Sequence, residues 1–399
     1  MKSFVASVAM AYLVWGCSTP QSSPDASTMD AAVPEAGPDS TTASDASQDS
    51  ATDAASGGST LHVAGSTLVD HGKVVRLLGV DHAGTEYSCV GGGSNGSQGY
   101  GIFDGPSDDS LVFPMLAWGV NAVRVPLNEA CWLAIGDVNP LYAGSNYRSA
   151  IEAYVTMIRS HGLYVIVDLH WAAPGTMVGT SQQPMADADN SPNFWTSVAT
   201  AFQGDLGVVF DLFNEPYLAA GNINGGTDPW TCLESGCSAK LQTPLSGNYM
   251  TAGHQSLVNA VRGTGAKNVI MVSGLAYTTD LSGWLTHEPT DSDNDLAASL
   301  HLYNFNGCTD VACWNTNYEA LSKSVPIITG ENGENDCGTS FVDAYMTWAD
   351  GLGISYLGWA WNTDDCSSFP SLITSYDAGT PTAFGMGLKN HLMSLDAGL

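Results

Sequence analysis

The 399-residue chain carries 40 Asp and Glu against 11 Lys and Arg, a net charge of −29. So acidic a balance supplies no basic stripe to neutralise phosphate, which excludes nucleic acid as a partner and argues against an anionic membrane surface. A neutral substrate is the natural inference.

The N-terminus differs from the rest. Lys2 is followed by the apolar run FVASVAMAYLVWG, too short to span a bilayer, and then by Cys17. Residues 1–17 are expected to be a secretory signal. Leu13-Val14-Trp15-Gly16-Cys17 resembles a bacterial lipobox, with Trp15 where a small residue is usual. Cys17 would then carry the lipid, and membrane contact is expected only through it. Residues 18–59 are almost entirely Ser, Thr, Ala, Pro, Gln, Gly and Asp, without Lys, Arg or an aromatic ring. Such a segment buries too little apolar surface to offset its ordering entropy and is expected to be a disordered tether. The expected location is secreted, extracellular or on the outer cell surface.

Residues 60–399 are rich enough in Val, Leu, Ile and aromatics for one sizeable core. Strands are expected at Val74–Asp81, Asn121–Pro126, Leu163–Leu169, Val208–Phe213, Val269–Ser273, Leu296–Leu302, Pro326–Thr329 and Ile354–Trp361. Helical patterns separate most of them: Ser107–Trp118, Asn146–His161, Phe194–Phe202, Tyr249–Arg262, Tyr318–Lys323, Phe341–Leu352 and Phe384–Met393. Apolar strands alternating with helices in one domain of this size predict a single (β/α)8 barrel. An open doubly wound sheet would need a phosphate-binding turn after its first strand. Gly91, Gly93 and Gly96 fit G-x-G-x-x-G, but they lie past the strand and SQGYGIFDGP cannot open a helix, so a rim loop is expected.

Nine cysteines are present. With Cys17 set aside, an even number behind a signal segment points to disulfides. Proximity suggests 232 with 237 and 308 with 313, leaving 89 with 131 and 337 with 366. Zinc is disfavoured, because no CxxC or His-x-x-x-His spacing accompanies them.

In such a barrel the C-terminal strand tips converge on one pocket. They present Asp81-His82, Arg124, Asp168-Leu169-His170-Trp171, Asn214-Glu215, His301-Leu302-Tyr303, Glu331 and Trp359-Ala360-Trp361. Only the fourth and seventh strands supply a Glu, so two carboxyl groups would face each other across the mouth. That pair suits glycoside hydrolysis: one carboxyl stays protonated for the leaving oxygen while the other meets the oxocarbenium centre. Pro216 fixes the backbone beside Glu215. Glu334, three residues beyond Glu331, is the weaker candidate because it does not end the strand. Trp171, Trp230 and Trp359 offer faces for pyranose rings, and Trp195 and Trp314 stand evenly between platform and packing. Trp118, Trp132 and Trp348 are expected in the core. Asp291-Ser292-Asp293-Asn294-Asp295 begins like a calcium loop, but Leu296 and Leu302 occupy the positions that need Gly and Glu, so a solvated turn is expected.

Arg124, His170, Asn214-Glu215-Pro216, His301-x-Tyr303, Gly330-Glu331 and Trp359, in this order at these strand ends, resemble glycoside hydrolase family 5, the cellulase family of retaining (β/α)8 glycosidases. The resemblance covers residues 60–397. It implies Glu215 as acid/base and Glu331 as nucleophile, with Arg124 and Tyr303 on the nucleophile. It also implies His170 and Asn214 on the sugar before the cleaved bond, His301 supporting Glu215, and Trp359 as platform. Trp361 shares the direction of Trp359 in an extended strand and is the alternative platform; Trp171 is a further contact. Asp81 stands where the family commonly has Asn.

The expected activity is endo-hydrolysis of β-1,4-linked polysaccharide, cellulose-type β-glucan first, with mannan, xylan or xyloglucan as alternatives. A monomer without metal or cofactor is expected. The contrasting reading is an idle surface carbohydrate-binding protein, which the intact Glu pair speaks against.

Overall fold

The computed structural model describes residues 58–91, 101–367 and 369–396. The expected signal segment, Cys17, tether residues 18–57, and Gly93 and Gly96 lie outside them.

Eight parallel strands close into a barrel in chain order. They are β1 (Leu78–Asp81), β2 (Ala122–Asn128), β3 (Tyr164–Trp171), β4 (Val208–Asp211), β5 (Ile270–Val272), β6 (Leu296–Tyr303), β7 (Ile327–Gly333) and β8 (Ser355–Gly358). The chief crossover helices are α1 (Asp109–Leu116), α2 (Ser145–Ser160), α3 (Ser191–Phe202), α4 (His254–Arg262), α5 (Val311–Asn317) and α6 (Ser340–Leu352), with α7 (Ala383–Asp396) closing the ring. The β5–β6 crossover carries two short elements, the helical turn Leu275–Thr278 and the 3₁₀ turn Trp284–Thr286. The first expected strand is divided: Lys73–Val75 joins His62–Ala64 and Thr67–Asp70 in a small antiparallel sheet, and only Leu78–Asp81 enters the barrel. The fourth helix starts later than the periodicity suggests, because Asn248–Met250 pairs with Ser238–Lys240 in a hairpin.

Period-two alternation builds two cores from the same strands. Val123, Val125, Val165, Val167, Val208 and Phe210 pack under the helices with Trp118, Trp132, Trp195 and Trp314. Ala122, Ile166, Val209, Met271, Ala297, Ile328 and Leu357 fill the lower barrel, which Leu61 and Leu68 help to cover. Two residues beyond several of the inward apolar positions, the same alternation brings polar groups inward: Arg124 after Ala122, Asp168 after Ile166 and Asp211 after Val209, all fully buried. The barrel therefore carries a charged layer directly above an apolar one.

All four disulfides have the expected pairing: Cys89–Cys131, Cys232–Cys237, Cys308–Cys313 and Cys337–Cys366. The acidic turn after α4 is not simply solvated. Asp291 is buried and accepts from Arg262 Nε at 2.6 Å and Nη2 at 2.9 Å, and Lys267 donates to Asp293 at 2.9 Å. Those cations occupy the carboxylates that a calcium ion would need. Among the described residues no helix is long and apolar enough to cross a membrane.

Candidate active site

Arg124 is the hub of the charged layer. Its Nη1 donates to Glu331 Oε1 at 2.8 Å and to Asp81 Oδ1 at 3.0 Å. Its Nε and Nη2 both donate to Asp211 Oδ2 at 3.2 Å, and Nη2 also reaches Asn214 Oδ1 at 2.8 Å and Asp168 Oδ2 at 3.2 Å. One guanidinium thus serves four buried carboxyl groups, and a single cation cannot offset four anions in a dry layer. Burial accordingly raises Asp81 well above the carboxylate range, and it lifts Asp211 to about 7, in each case against the pull of Arg124.

Glu331 enters this layer through a local irregularity. Counting inward positions along β7 from Ile328 reaches Gly330 and would turn Glu331 outward. The β6–β7 register shifts at this point, Leu300 opposing Thr329 and His301 opposing Glu331, so Gly330 is the extra residue and Glu331 faces the barrel mouth. Glycine suits that position, since a Cβ would meet His301 Nε2 at 3.0 Å and Arg124 Nε at 3.5 Å. Tyr303 donates its hydroxyl to Glu331 Oε2 at 2.6 Å, so both carboxylate oxygens are fixed by donors.

Glu215 lies beyond the end of β4 at Asp211, on the turn that leads to Pro216. Its Oε1 is 3.0 Å from His301 Nδ1, which is itself 3.5 Å from Glu331 Oε2. An oxygen of Glu215, a nitrogen of His301 and an oxygen of Glu331 all lie within 4.8 Å of one another. Burial lifts the Glu215 carboxyl to about 7, although 18% of its side chain reaches solvent; the charge on His170, Gln182 and Arg124 oppose the rise. His301 is driven to about 4 by burial and is neutral at pH 7. By distance alone this trio could ligate a cation, but a cation there would compete with the Arg124 guanidinium for Glu331.

His170 lies 3.0 Å from Asp168 Oδ2. Burial would depress it, yet the Asp168 charge overrides burial and raises it to about 9. Asn214 is oriented by its bond from Arg124, and its Nδ2 sits 3.3 Å from His170 Nε2. Trp359 stacks on His170 with ring centroids 5.5 Å apart and a 16° interplanar angle.

Arg124, His170, Asn214, Glu215, His301, Tyr303, Glu331 and Trp359 therefore meet at one mouth. Trp361 does not join them. The strand ends at Gly358, so alternation fails beyond it, and Trp361 is fully buried edge-on against Trp118 at 4.7 Å. Trp171 is half-buried near Tyr87, with centroids 6.4 Å apart. Trp230 stacks on His287 over Gly283, and Trp195 and Trp314 are core residues. Trp348 is half-buried and donates to Asn315. Glu334 is buried away from the pair, accepting from the Val342 N–H. Sequence reasoning missed Asp211 and Gln182 as partners. Asp211 shares the inward face of its strand with Val209, which alternation could have indicated, whereas Gln182 lies on a loop that carries no such signal.

A closed (β/α)8 barrel with two carboxyl groups facing across its C-terminal mouth defines the glycosidase class of such barrels. Residues 82–365 match the model of the cellulase family, glycosyl hydrolase family 5. The chain belongs to that family and is a glycoside hydrolase. A mannan endo-1,4-β-mannosidase of Streptomyces lividans is 24% identical over 345 residues, covering 83% of this chain and 73% of that protein. An endoglucanase of Microbulbifer sp. is 22% identical over 328 residues, covering 77% of this chain and 54% of that one. Among solved structures, a β-glucanase from Saccharophagus degradans in complex with cellotetraose superposes with a TM-score of 0.62 at 20% identity, over 85% of this chain and 94% of that one.

Proposed function

We propose that this hydrolase is a monomeric retaining endo-β-1,4-glycanase acting first on cellulose-type β-glucan. In this reading residues 1–17 export it, Cys17 carries a lipid, and residues 18–59 tether the catalytic domain 60–399 outside the cell. The observation that carries the mechanism is the Glu215–Glu331 pair, with carboxylate oxygens within 4.8 Å and contrasting surroundings. That proximity suits retention, since inverting enzymes hold their carboxyl groups roughly 6.5–9.5 Å apart to admit a water.

Glu331, its oxygens oriented by Arg124 and Tyr303, attacks the anomeric carbon. As the C1–O bond breaks, protonated Glu215 transfers its proton to the departing oxygen, leaving a glycosyl ester on Glu331. Glu215, now a carboxylate, takes a proton from water. The water oxygen bonds to C1 and the ester bond to Glu331 breaks, restoring both residues. His301 is neutral and links the two carboxyl groups. Trp359 stacks on the sugar ring, while His170 and Asn214 hold its hydroxyls, with Trp171 a further contact at the rim.

Cellotetraose in the related β-glucanase and the endoglucanase relative support β-glucan. The mannosidase relative makes mannan the second reading. Incubating the full chain with β-glucan, mannan, xylan and xyloglucan and sizing the products tests both. Mid-chain cleavage of β-glucan is expected; preferred cleavage of mannan would move the substrate, and no product from any polymer would sink the enzymatic reading. Labelling of the expressed protein by fatty acid, lost in Cys17→Ser, tests the anchor.

A further inference from the structure

The β3–α3 loop, residues 172–190, meets Glu215 through Gln182. Gln182 Nε2 donates to the Glu215 carbonyl oxygen at 2.6 Å and lies 3.4 Å from Glu215 Oε2. One amide nitrogen thus spans the backbone and the carboxyl of a single residue. The short carbonyl bond fixes the amide plane and leaves the second N–H facing the carboxyl.

The loop is braced for this. The Tyr217 hydroxyl donates to the Gln182 carbonyl at 3.1 Å. The Tyr249 hydroxyl donates to Met185 O at 2.7 Å, and Gln183 Oε1 accepts from Gln242 N at 2.9 Å. The hairpin carrying Tyr249 and Gln242 therefore clamps the loop beside Gln182.

We propose that Gln182 is a positioning residue that orients the Glu215 carboxyl and favours its anionic form, speeding the step in which Glu215 takes a proton from water. This rests on the reading of Glu215 as acid/base. The groups facing Glu215 from the barrel are His301 and Tyr303 on β6, Glu331 on β7, His170 and Asp168 on β3, Arg124 on β2, and Tyr277 beyond β5. Gln182 adds a neutral donor, which lowers the Glu215 carboxyl toward its ordinary range without adding charge.

The test compares kcat/KM against pH on cello-oligosaccharides for the full chain, Gln182→Ala and Gln182→Glu. The alkaline limb is expected to rise by about half to one pH unit in Gln182→Ala and further in the near-isosteric Gln182→Glu, which places a like charge beside Glu215. On an aryl glycoside with a good leaving group, ester hydrolysis limits the rate; kcat is expected to fall about 3- to 10-fold below the limb, with KM falling in parallel so that kcat/KM on this substrate changes less than about twofold. An unmoved limb in both variants, whatever their melting temperatures, overturns the role. Glu215→Ala run in parallel separates the two claims: if it still turns over unactivated oligosaccharide, the assignment of Glu215 fails, and if it is inactive while both limbs stay put, only the role of Gln182 fails.

Discussion

The two carboxyl groups of the site are built by different parts of the molecule. Glu331 belongs to the barrel: a strand carries it, a register shift aims it, and Arg124 and Tyr303 hold both its oxygens among fully buried charges. Glu215 belongs to the rim: it lies past Asp211, the last pairing residue of β4, keeps 18% of its side chain in solvent, and is gripped by His301 and a loop amide. A nucleophile must stay in one place and one charge state, which strands supply. An acid/base must exchange its proton with solvent at each turnover, which a partly open rim permits.

The sharpest way to break this contrast is to remove each carboxyl in turn. Glu331→Ala is expected to lose about 10⁴-fold or more of activity. Azide with an activated aryl glycoside should then give the inverted, α-configured glycosyl azide. Glu215→Ala with azide should instead give the β-configured product, because azide attacks the glycosyl ester from the opposite face. The anomeric proton spectrum of each azide decides, and exchanged configurations would exchange the roles.

Next in size is the hub. Arg124→Lys loses the planar fork and leaves buried carboxyl groups without donors. Activity is expected to fall about 100-fold or more, and calorimetry should show melting lowered by about 5 to 10 °C. A variant as stable as the parent would mean that the charged layer does not depend on the guanidinium. Tyr303→Phe deletes one donor to Glu331, and a kcat loss of about 10- to 100-fold is expected from a charged hydrogen bond. A loss below about threefold would leave Arg124 as the sole effective partner.

The smallest expected effect is the drift of stability with pH. Asp211 and Glu86 ordinarily ionise near 3.8 and 4.5, but burial lifts each to about 7, against Arg124 and the charge on His170 respectively. The folded chain keeps protons that the unfolded chain has released, so this contribution is full below about pH 4 and lost as pH rises through 7. His170 is raised from 6.5 to about 9, so its contribution is full below 6.5 and lost as pH rises through 9. Both trends share a sign. The melting temperature is expected to fall by on the order of 5 °C between pH 5 and 9, and Asp211→Asn should flatten the lower part of that slope. A curve rising over this range would contradict the charged layer as described.

Much of the barrel side was legible from local pattern. Period-two alternation marks Ala122 and Arg124, or Ile166 and Asp168, as sharing a face, because a strand's pleat depends only on near neighbours. Apolar runs ending in His170, Glu215 and Glu331 placed the tips. Alternation failed where extension failed: Trp361 was expected beside Trp359, yet β8 stops at Gly358 and Trp361 turns into the core. The rim was far less legible, since Gln182 reaches Glu215 only through a loop braced by a hairpin distant in sequence.

The sequence by itself determined the barrel, the two short-range disulfides Cys232–Cys237 and Cys308–Cys313 and the pair of Glu residues, because each follows from short-range periodicity, cysteine proximity or strand-end position, whereas the long-range pairs Cys89–Cys131 and Cys337–Cys366 were fixed by the fold. Only the tertiary structure decided that Arg124 serves four carboxyl groups at once, that a bulge at Gly330 turns Glu331 inward, and that burial raises Glu215 to about 7 against the opposing pull of His170, the Gln182 amide and Arg124. Charge states depend on desolvation and on distances between residues far apart in the chain, and neither quantity exists until the barrel has closed.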